Sequence, residues 1–301
     1  MPHDTAAPIL GRTVTSRFIG VDWGTTNCRA YLIEDGIVVD AKRDAPGMLS
    51  VPAGDFAAAA ERLRSDLGDA PMLLAGMIGS NRGWVDAGYV PCPATIADVA
   101  AAIVTVADGV AIVPGVKVVD GQRADVMRGE EVQLLGAVAQ GLAPPDALLC
   151  QPGTHCKWAT MRGGALIDFA TAMTGELFAL LKNHALIGAA MTGTVADGAA
   201  FRAGVTRAAD GDLLAAMFGV RPASLLGLRD DRDAASYVSG LLIGSDCRAQ
   251  VGSGETVHLL ADAPLGDLYA TAIDAAGGSA LRVDSEAAFV AGITRLWESS
   301  Q

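Results

Sequence analysis

An aspartate that ends an apolar run and is followed by Gly24, Thr25, Thr26 and Asn27 is a set of residue types suited to a phosphate and its metal. In the string FIGVDWGTTNCRAYL, Asp22 offers a hard oxygen to hydrated Mg²⁺, and Gly24 lets backbone approach an anion with no β-carbon in between. The N–H groups of the turn and the hydroxyls of Thr25 and Thr26 can donate to phosphate oxygens, and Arg29 lies on the way out. An ordinary Asx-type hairpin turn uses the same D-x-G and is the competing reading of those three residues.

Three more strings carry polar groups at turns or helix starts. In PGTHCKW, Gly153 and Thr154 repeat the Gly-Thr pair, and Lys157 can place positive charge beside a transferring phosphoryl group. His155 reads as a phosphate or sugar donor or as a satisfied turn residue. Zinc is discounted because four ligands at Cys/His spacing are lacking, and a Cys156–His155 nucleophile lacks a visible orienting group. ADVMRGEEVQLLGA sets Asp125, Glu130 and Glu131 at the start of a helix, where the dipole alone favours acids. One of the three could instead take a proton from an attacking hydroxyl. GMIGSNRGW offers Ser80, Asn81, Arg82 and Trp84 on a loop, polar donors and an aromatic floor that suit a polyhydroxylated acid. Packing inward is the other fate of Trp84.

These residues need a scaffold of strands and turns. Residues 18–21 form a short β-prone run, 28–33 its return strand, and 37–39 a third strand, so the chain opens as a meander. Residues 55–67 have helical spacing and lead through Pro71 into a strand at 72–75, a β-α-β unit. Residues 96–106 read as helix, 110–113 and 116–119 as strands, and 130–140 as an amphipathic helix ended by Gly141. At Ala147 the opening recurs: strand 147–150, a Gly-Thr turn, strand 157–161, a Gly-Gly turn, strand 165–169. Tandem duplication is one explanation of the echo. Helices follow at about 174–190, 196–202, 210–219 and 232–249, then a strand at 256–260 and helices near 265–276 and 285–298, with Thr174 as an N-cap.

Together the strings VDWGTTNCR, GMIGSNRGW, VMRGEEVQLLGA, PGTHCKW, MTGELFALL and SGLLIG resemble the 2-dehydro-3-deoxygalactonokinase family, from about residue 18 to 297. The first resembles the leading phosphate motif of actin-like ATPases. The resemblance implies an α/β, two-lobed actin-like ATPase (ribonuclease H-like) fold with mixed sheets and a central cleft. It also implies transfer of the ATP γ-phosphoryl group to the 6-hydroxyl of 2-dehydro-3-deoxygalactonate, with ATP and Mg²⁺ as cofactors, in galactonate catabolism. In related sugar kinases the base comes from the segment between the two phosphate turns; Glu130 leads here, and Asp125 and Glu131 follow. Helix phase turns Glu130 and Glu131 about 100° apart, so only one can face a given hydroxyl. Thr174, Gly175 and Glu176 are implied to line the cleft where sugar meets phosphate, and Ala288 to Gly292 to form a small-residue helix crossing between the lobes. The adenosine turn departs from the superfamily's glycines, since residues 257–260 are followed by Ala261-Asp262-Ala263-Pro264.

The expected organisation is a loose arm over 1–17, an N-terminal lobe over 18–141 and a C-terminal lobe over 142–301, with the last helix packing back towards the crossing. Hydrophobic residues make up 51% of the 301 and charged residues 19%, which excludes a disordered chain. A net charge of −12 without basic runs argues against nucleic-acid binding. An anionic substrate must therefore meet local cations, for which Arg29, Arg82, Arg128 and Lys157 are candidates. Five scattered cysteines and no secretory or membrane-spanning stretch point to the cytoplasm, with a small-molecule sugar acid as partner and a homodimer left open. Gly is 36 of 301, against an average near 7%, and the excess requires either loose turns or close backbone approach. Two other activities fit parts of the pattern: a phosphohydrolase of exopolyphosphatase type, and a non-catalytic ATP-binding regulator.

Overall fold

The computed structural model describes residues 16–52 and 54–301. All but the last two residues of the arm expected over 1–17 lie outside that range, and Arg17 already belongs to the first strand. Strands β1 (Arg17–Trp23), β2 (Asn27–Glu34) and β3 (Ile37–Pro46) form an antiparallel meander. Helix α1 (Phe56–Leu67) then returns the chain to β4 (Met72–Ala75), parallel to β1. Next come β5 (Tyr89–Pro91), α2 (Ile96–Ala101), β6 (Val104–Ala107), β7 (Val110–Ile112), β8 (Gly115–Asp120), β9 (Arg123–Met127) and α3 (Glu130–Ala139).

The opening is then repeated by β10 (Ala147–Gln151), β11 (Cys156–Arg162) and β12 (Ala165–Ala172). The helices α4 (Thr174–His184), α5 (Ala199–Arg207), α6 (Leu213–Phe218), α7 (Val220–Leu225) and α8 (Asp231–Gln250) follow. The chain ends with β13 (Thr256–Leu260), α9 (Leu265–Ala275), β14 (Ser279–Val283) and α10 (Ser285–Ser299).

The first sheet has the order β3-β2-β1-β4-β7-β6 and the second β12-β11-β10-β13-β14, so five strands of each follow one connectivity. In both, an antiparallel meander is joined by parallel strands on the far side of its first member. This mixed-sheet, two-lobed α/β arrangement is the fold expected from the echo in the sequence. Period-2 patterning places each sheet between two layers. Phe18 packs into the core between the sheets, whereas its neighbours Ile19 and Val21 pack on the opposite face beneath α1. A further core of Trp158, Phe201, Leu259 and Tyr269 covers the outer face of the second sheet.

Small residues let α10 return to α3. A β-carbon at Gly136 would overlap the Ala288 carbonyl oxygen, and one at Gly292 that of Val132. The crossing expected at Ala288 to Gly292 is thus built by close backbone approach, which accounts for part of the glycine excess.

Several local expectations are corrected. The helix expected over 96–106 stops at Ala101, and the β-branched Val104, Thr105 and Val106 lie in β6, paired antiparallel with β7. Asp125 lies on β9, paired with Val118, and not in the helix. The helix expected over 174–190 ends at His184 and a 3₁₀ segment follows. Those at 196–202 and 210–219 form later, as α5 and α6. Strands β5 and β14 and helix α7 were not expected; each is short, and both strands are held by parallel pairing with β8 or β13. Met173, not Thr174, is the N-cap of α4, because the Thr174 hydroxyl instead donates to buried Asp246 at 2.8 Å.

Candidate active site

The two Gly-Thr turns follow the C-terminal ends of the corresponding strands β1 and β10 and meet across one cavity of about 300 Å³. Its walls include Asp22, Gly24, Thr25, Glu130, Gly153 and Thr154. The first turn is tied down from behind: Gly24 N donates to Asn27 O at 2.9 Å, and Met48 N and Leu49 N donate to Gly24 O and Thr25 O at 3.0 and 3.1 Å. Among the described residues the backbone N–H groups of Thr25 and Thr26 have no acceptor, nor do those of Gly153, Thr154 and His155. Two opposed, exposed sets of free donors form a cradle for a chain of phosphates. Thr26, Asn27 and Arg29 line an adjoining recess of about 200 Å³ that shares Asp22.

Helix α4 starts against the second turn. Glu176 N donates to Thr154 O at 2.9 Å, and a β-carbon at Gly175 would overlap Gly153 O, so glycine is required for that approach. The helix N-terminus thus adds its partial positive charge beside the turn.

The three acids have different fates. Asp125 is held away from the cavity, its carboxylate accepting from Thr171 N and Thr171 Oγ1, both at 2.7 Å. Glu131 is fully buried and receives Gly129 N on both oxygens at 2.7 and 2.9 Å. Glu130 lines the cavity. Its carboxylate accepts from Arg128 N at 3.0 Å and faces Lys157 Nζ at 3.7 Å. The placement depends on Gly129, whose φ of 104° turns the chain from β9 into α3 while its Cα face lies against Gly76.

Electrostatics separates the acids further. Burial pushes Asp22 up to about 6; Arg29, 4.0 Å away, opposes that shift, and the nearby Glu130 adds to it. Burial, with Glu130 beside it, raises Glu131 from 4.5 to about 8. The folded chain therefore keeps a proton on Glu131 that the unfolded chain loses above pH 4.5, and stability falls as pH rises from there to about 8. Glu131→Gln should flatten this dependence, by up to about 1.4 kcal/mol per pH unit, and leave turnover within about threefold. Denaturant midpoints at pH 5.5 and 7.5 test it; equal slopes for variant and parent would refute it.

The other expected residues are divided. Lys157 is buried and donates to Thr171 Oγ1 at 3.1 Å, so it acts behind Glu130 and does not line the cavity. His155 pairs with Glu176 at 2.8 Å at the exposed rim. Ser80 is buried beside Met48, Trp84 packs against the core beneath α1, and Asn81 is exposed on the turn between them. Arg128 does line the cavity. Gly76, Met77, Gln133 and Gln151 line it too and went unnoticed in the sequence. Gln133 lies one turn after Glu130, a spacing that could have revealed it. Gln151 at the end of β10 donates to Gln133 of α3 at 2.9 Å, and its own oxygen is buried without a donor.

Beside Gly153 opens an apolar recess of about 170 Å³, lined by Phe178, Leu242, Ile243, Leu265 and Leu268. Leu242 and Ile243 belong to the SGLLIG string. The Ala261–Pro264 turn, where the superfamily has glycines, immediately precedes Leu265 at the edge of this recess.

A phosphate cradle, an ion-paired carboxylate and an apolar recess are the parts of a phosphoryl-transfer site. The oxygen donors suit Mg²⁺: Asp22 is a hard ligand and Gln151 has an unpaired amide oxygen. Among the described residues no group of three or more His, Cys, Asp or Glu could hold a metal, so the ion would depend on phosphates and water for its other ligands.

Comparison with known proteins shows the family to which the chain is related. The family described as 2-keto-3-deoxy-galactonokinase matches residues 22–296. The 2-dehydro-3-deoxygalactonokinase of Escherichia coli K12 is 36% identical over 286 residues, covering 93% of this chain and 97% of its own. A solved structure from Sinorhizobium meliloti, assigned to the same activity, superposes with a TM-score of 0.86 at 33% identity over 93% of this chain and 97% of that one. Component A of the Acidaminococcus fermentans (R)-2-hydroxyglutaryl-CoA dehydratase shares the fold alone, with a TM-score of 0.50 at 14% identity, covering 95% of this chain and 99% of that one.

Proposed function

The chain belongs to the 2-keto-3-deoxy-galactonokinase family, and from that premise we propose how its cleft phosphorylates a sugar acid. The protein is an ATP-dependent kinase of 2-dehydro-3-deoxygalactonate, a phosphotransferase with an alcohol acceptor. The acceptor oxygen in our reading is the 6-hydroxyl. The observation that carries the reading is the pair of opposed turns with free N–H donors on either side of Asp22 and Glu130.

In the proposed arrangement, Thr25, Thr26 and Asn27 hold one part of the triphosphate and Gly153 and Thr154 the other, with Arg29 at the outer end. The recess at Phe178 and Leu242 takes the adenine, and Thr174 and Gly175 stand between base and phosphates. Asp22 is the residue that would hold Mg²⁺, which when bound draws charge from the phosphate oxygens. Glu130 takes the proton from the attacking hydroxyl, and Lys157 behind it keeps the carboxylate aimed. Arg128, His155 and Glu176 face the acceptor side. Closing the lobes would exclude water, which otherwise competes with the sugar hydroxyl. We take residues 18–141 and 142–301 as the two lobes, with α10 crossing back to the first.

Family membership disfavours the exopolyphosphatase and regulator readings. No helix among the described residues is long and apolar enough to cross a membrane. A cytoplasmic location and a homodimer belong to the proposal. A coupled ADP-release assay over 2-keto-3-deoxy acids, aldonic acids and simple hexoses tests the function. Release should require a 2-keto-3-deoxy acid; phosphate release without any acceptor would overturn the reading.

A further inference from the structure

The substrate of a sugar-acid kinase carries a carboxylate, and a chain of net charge −12 must supply a local cation to receive it. With His155 at the exposed rim, Arg128 is the only arginine or lysine among the described residues that line the central cavity, and its guanidinium lies behind the cavity wall, against Tyr89, Gly88 and Asp86. It is 8% exposed, and its ring-stacked guanidinium lies 4.3 Å from the centre of Tyr89. Only Nη2 has partners, Gly88 O at 3.1 Å and the exposed Asp86 at 3.4 Å. Nε and Nη1 are buried and have no acceptor. A buried guanidinium edge without a partner is costly, and a planar anion with two oxygens is the ligand that fits it.

We propose that the Nε–Nη1 edge of Arg128 is the receptor for the carboxylate of the sugar acid, and that it sets the enzyme's preference for acids over neutral sugars. The proposal rests on the kinase reading of the cleft and names the group that selects its substrate class. The side chain leaves the backbone two residues before Glu130, so a carboxylate held there fixes one end of the acceptor while the other end reaches the base. Gly79 leaves the edge its room: a β-carbon there would stand 3.1 Å from Nη1. Both nitrogens are covered, so the turn at Met77–Gly79 must give way for the carboxylate to enter, and the resulting ion pair is shielded from water. Arg128 is thus a specificity residue, and Tyr89, Gly88 and Asp86 position it.

The test compares binding of 2-dehydro-3-deoxygalactonate with that of its carboxamide by titration calorimetry, without nucleotide, so that it does not depend on turnover. The parent should bind the acid roughly 100-fold more tightly than the amide, and Arg128→Met should remove most of that ratio. Arg128→Lys keeps the charge without the fork and should retain part of it, and it decides the question if the methionine variant does not fold. A variant that weakens acid and amide equally, or keeps the parent's ratio, overturns the proposal, as does a parent that binds neither. If the ratio depends on Arg128 but no ADP is released in the coupled assay, the kinase reading fails and the carboxylate site stands.

Discussion

Asp22→Asn will lower phosphorylation of the sugar acid by roughly a thousandfold or more in kcat and leave the fold intact. The substitution keeps the shape and removes the charge. Asp22 sits at the end of β1 with its side chain 23% exposed, close to Glu130 and only distantly paired with Arg29. Burial raises it from 3.8 to about 6, so ionising it in the folded chain opposes stability, and that opposition grows as pH rises from 3.8 to about 6. The asparagine variant should therefore melt no lower than its parent at pH 7. The same shift gives an expected pH dependence. On the proposed role of Asp22 as the Mg²⁺ residue, a proton competes with the ion there, so below about pH 6 the apparent Mg²⁺ affinity should fall about tenfold per unit in the parent, and the effect should vanish in the variant. Turnover by Asp22→Asn at near-parental rate would sink the assignment.

Glu130→Gln should cost roughly 10²- to 10⁴-fold in kcat while the KM values for ATP and sugar acid stay within a few-fold. The amide oxygen can still accept Arg128 N, so the local backbone keeps its anchor, but the side chain can no longer accept the acceptor hydroxyl's proton. Asp125→Asn is the informative control. Asp125 is committed to Thr171 on the neighbouring strand, so its loss should reduce stability and leave the chemical step largely unchanged. Single-turnover measurements separate these cases. If Glu130→Gln keeps kcat within tenfold, the base lies elsewhere and Glu130 serves the fold.

Much of the scaffold was legible because its signals are local. The two meanders follow from apolar alternation punctuated by Gly-Thr turns, and their recurrence correctly implies one connectivity used twice. What escaped is held by long-range pairing. Residues 104–106 read as helix because a 3.6-residue period cannot be told from alternation in so short a run; β7 decides the matter. Ser279–Val283 has little apolar pattern of its own and becomes a strand through pairing along the whole of β13. Thr174 has the chemistry of an N-cap, but a buried carboxylate from α8 competes for its hydroxyl and prevails.

The sequence by itself determined the residue types and their order: a metal-type acid before a Gly-Thr turn, a second such turn, and a cluster of acids between them. It also determined the family, through short strings whose order is informative even where each alone is weak. Which acid faces the cleft was decided only in three dimensions. Asp125, Glu130 and Glu131 are chemically similar and close in sequence. Thr171 captures the first, the positive-φ turn at Gly129 aims the second outward, and helix rotation buries the third. The apolar recess gathers side chains from α4, α8 and α9, and the unpaired edge of Arg128 exists only because Tyr89 and Gly79 enclose it. Desolvation and partner choice are properties of surroundings, and those surroundings come from segments that no sequence window spans.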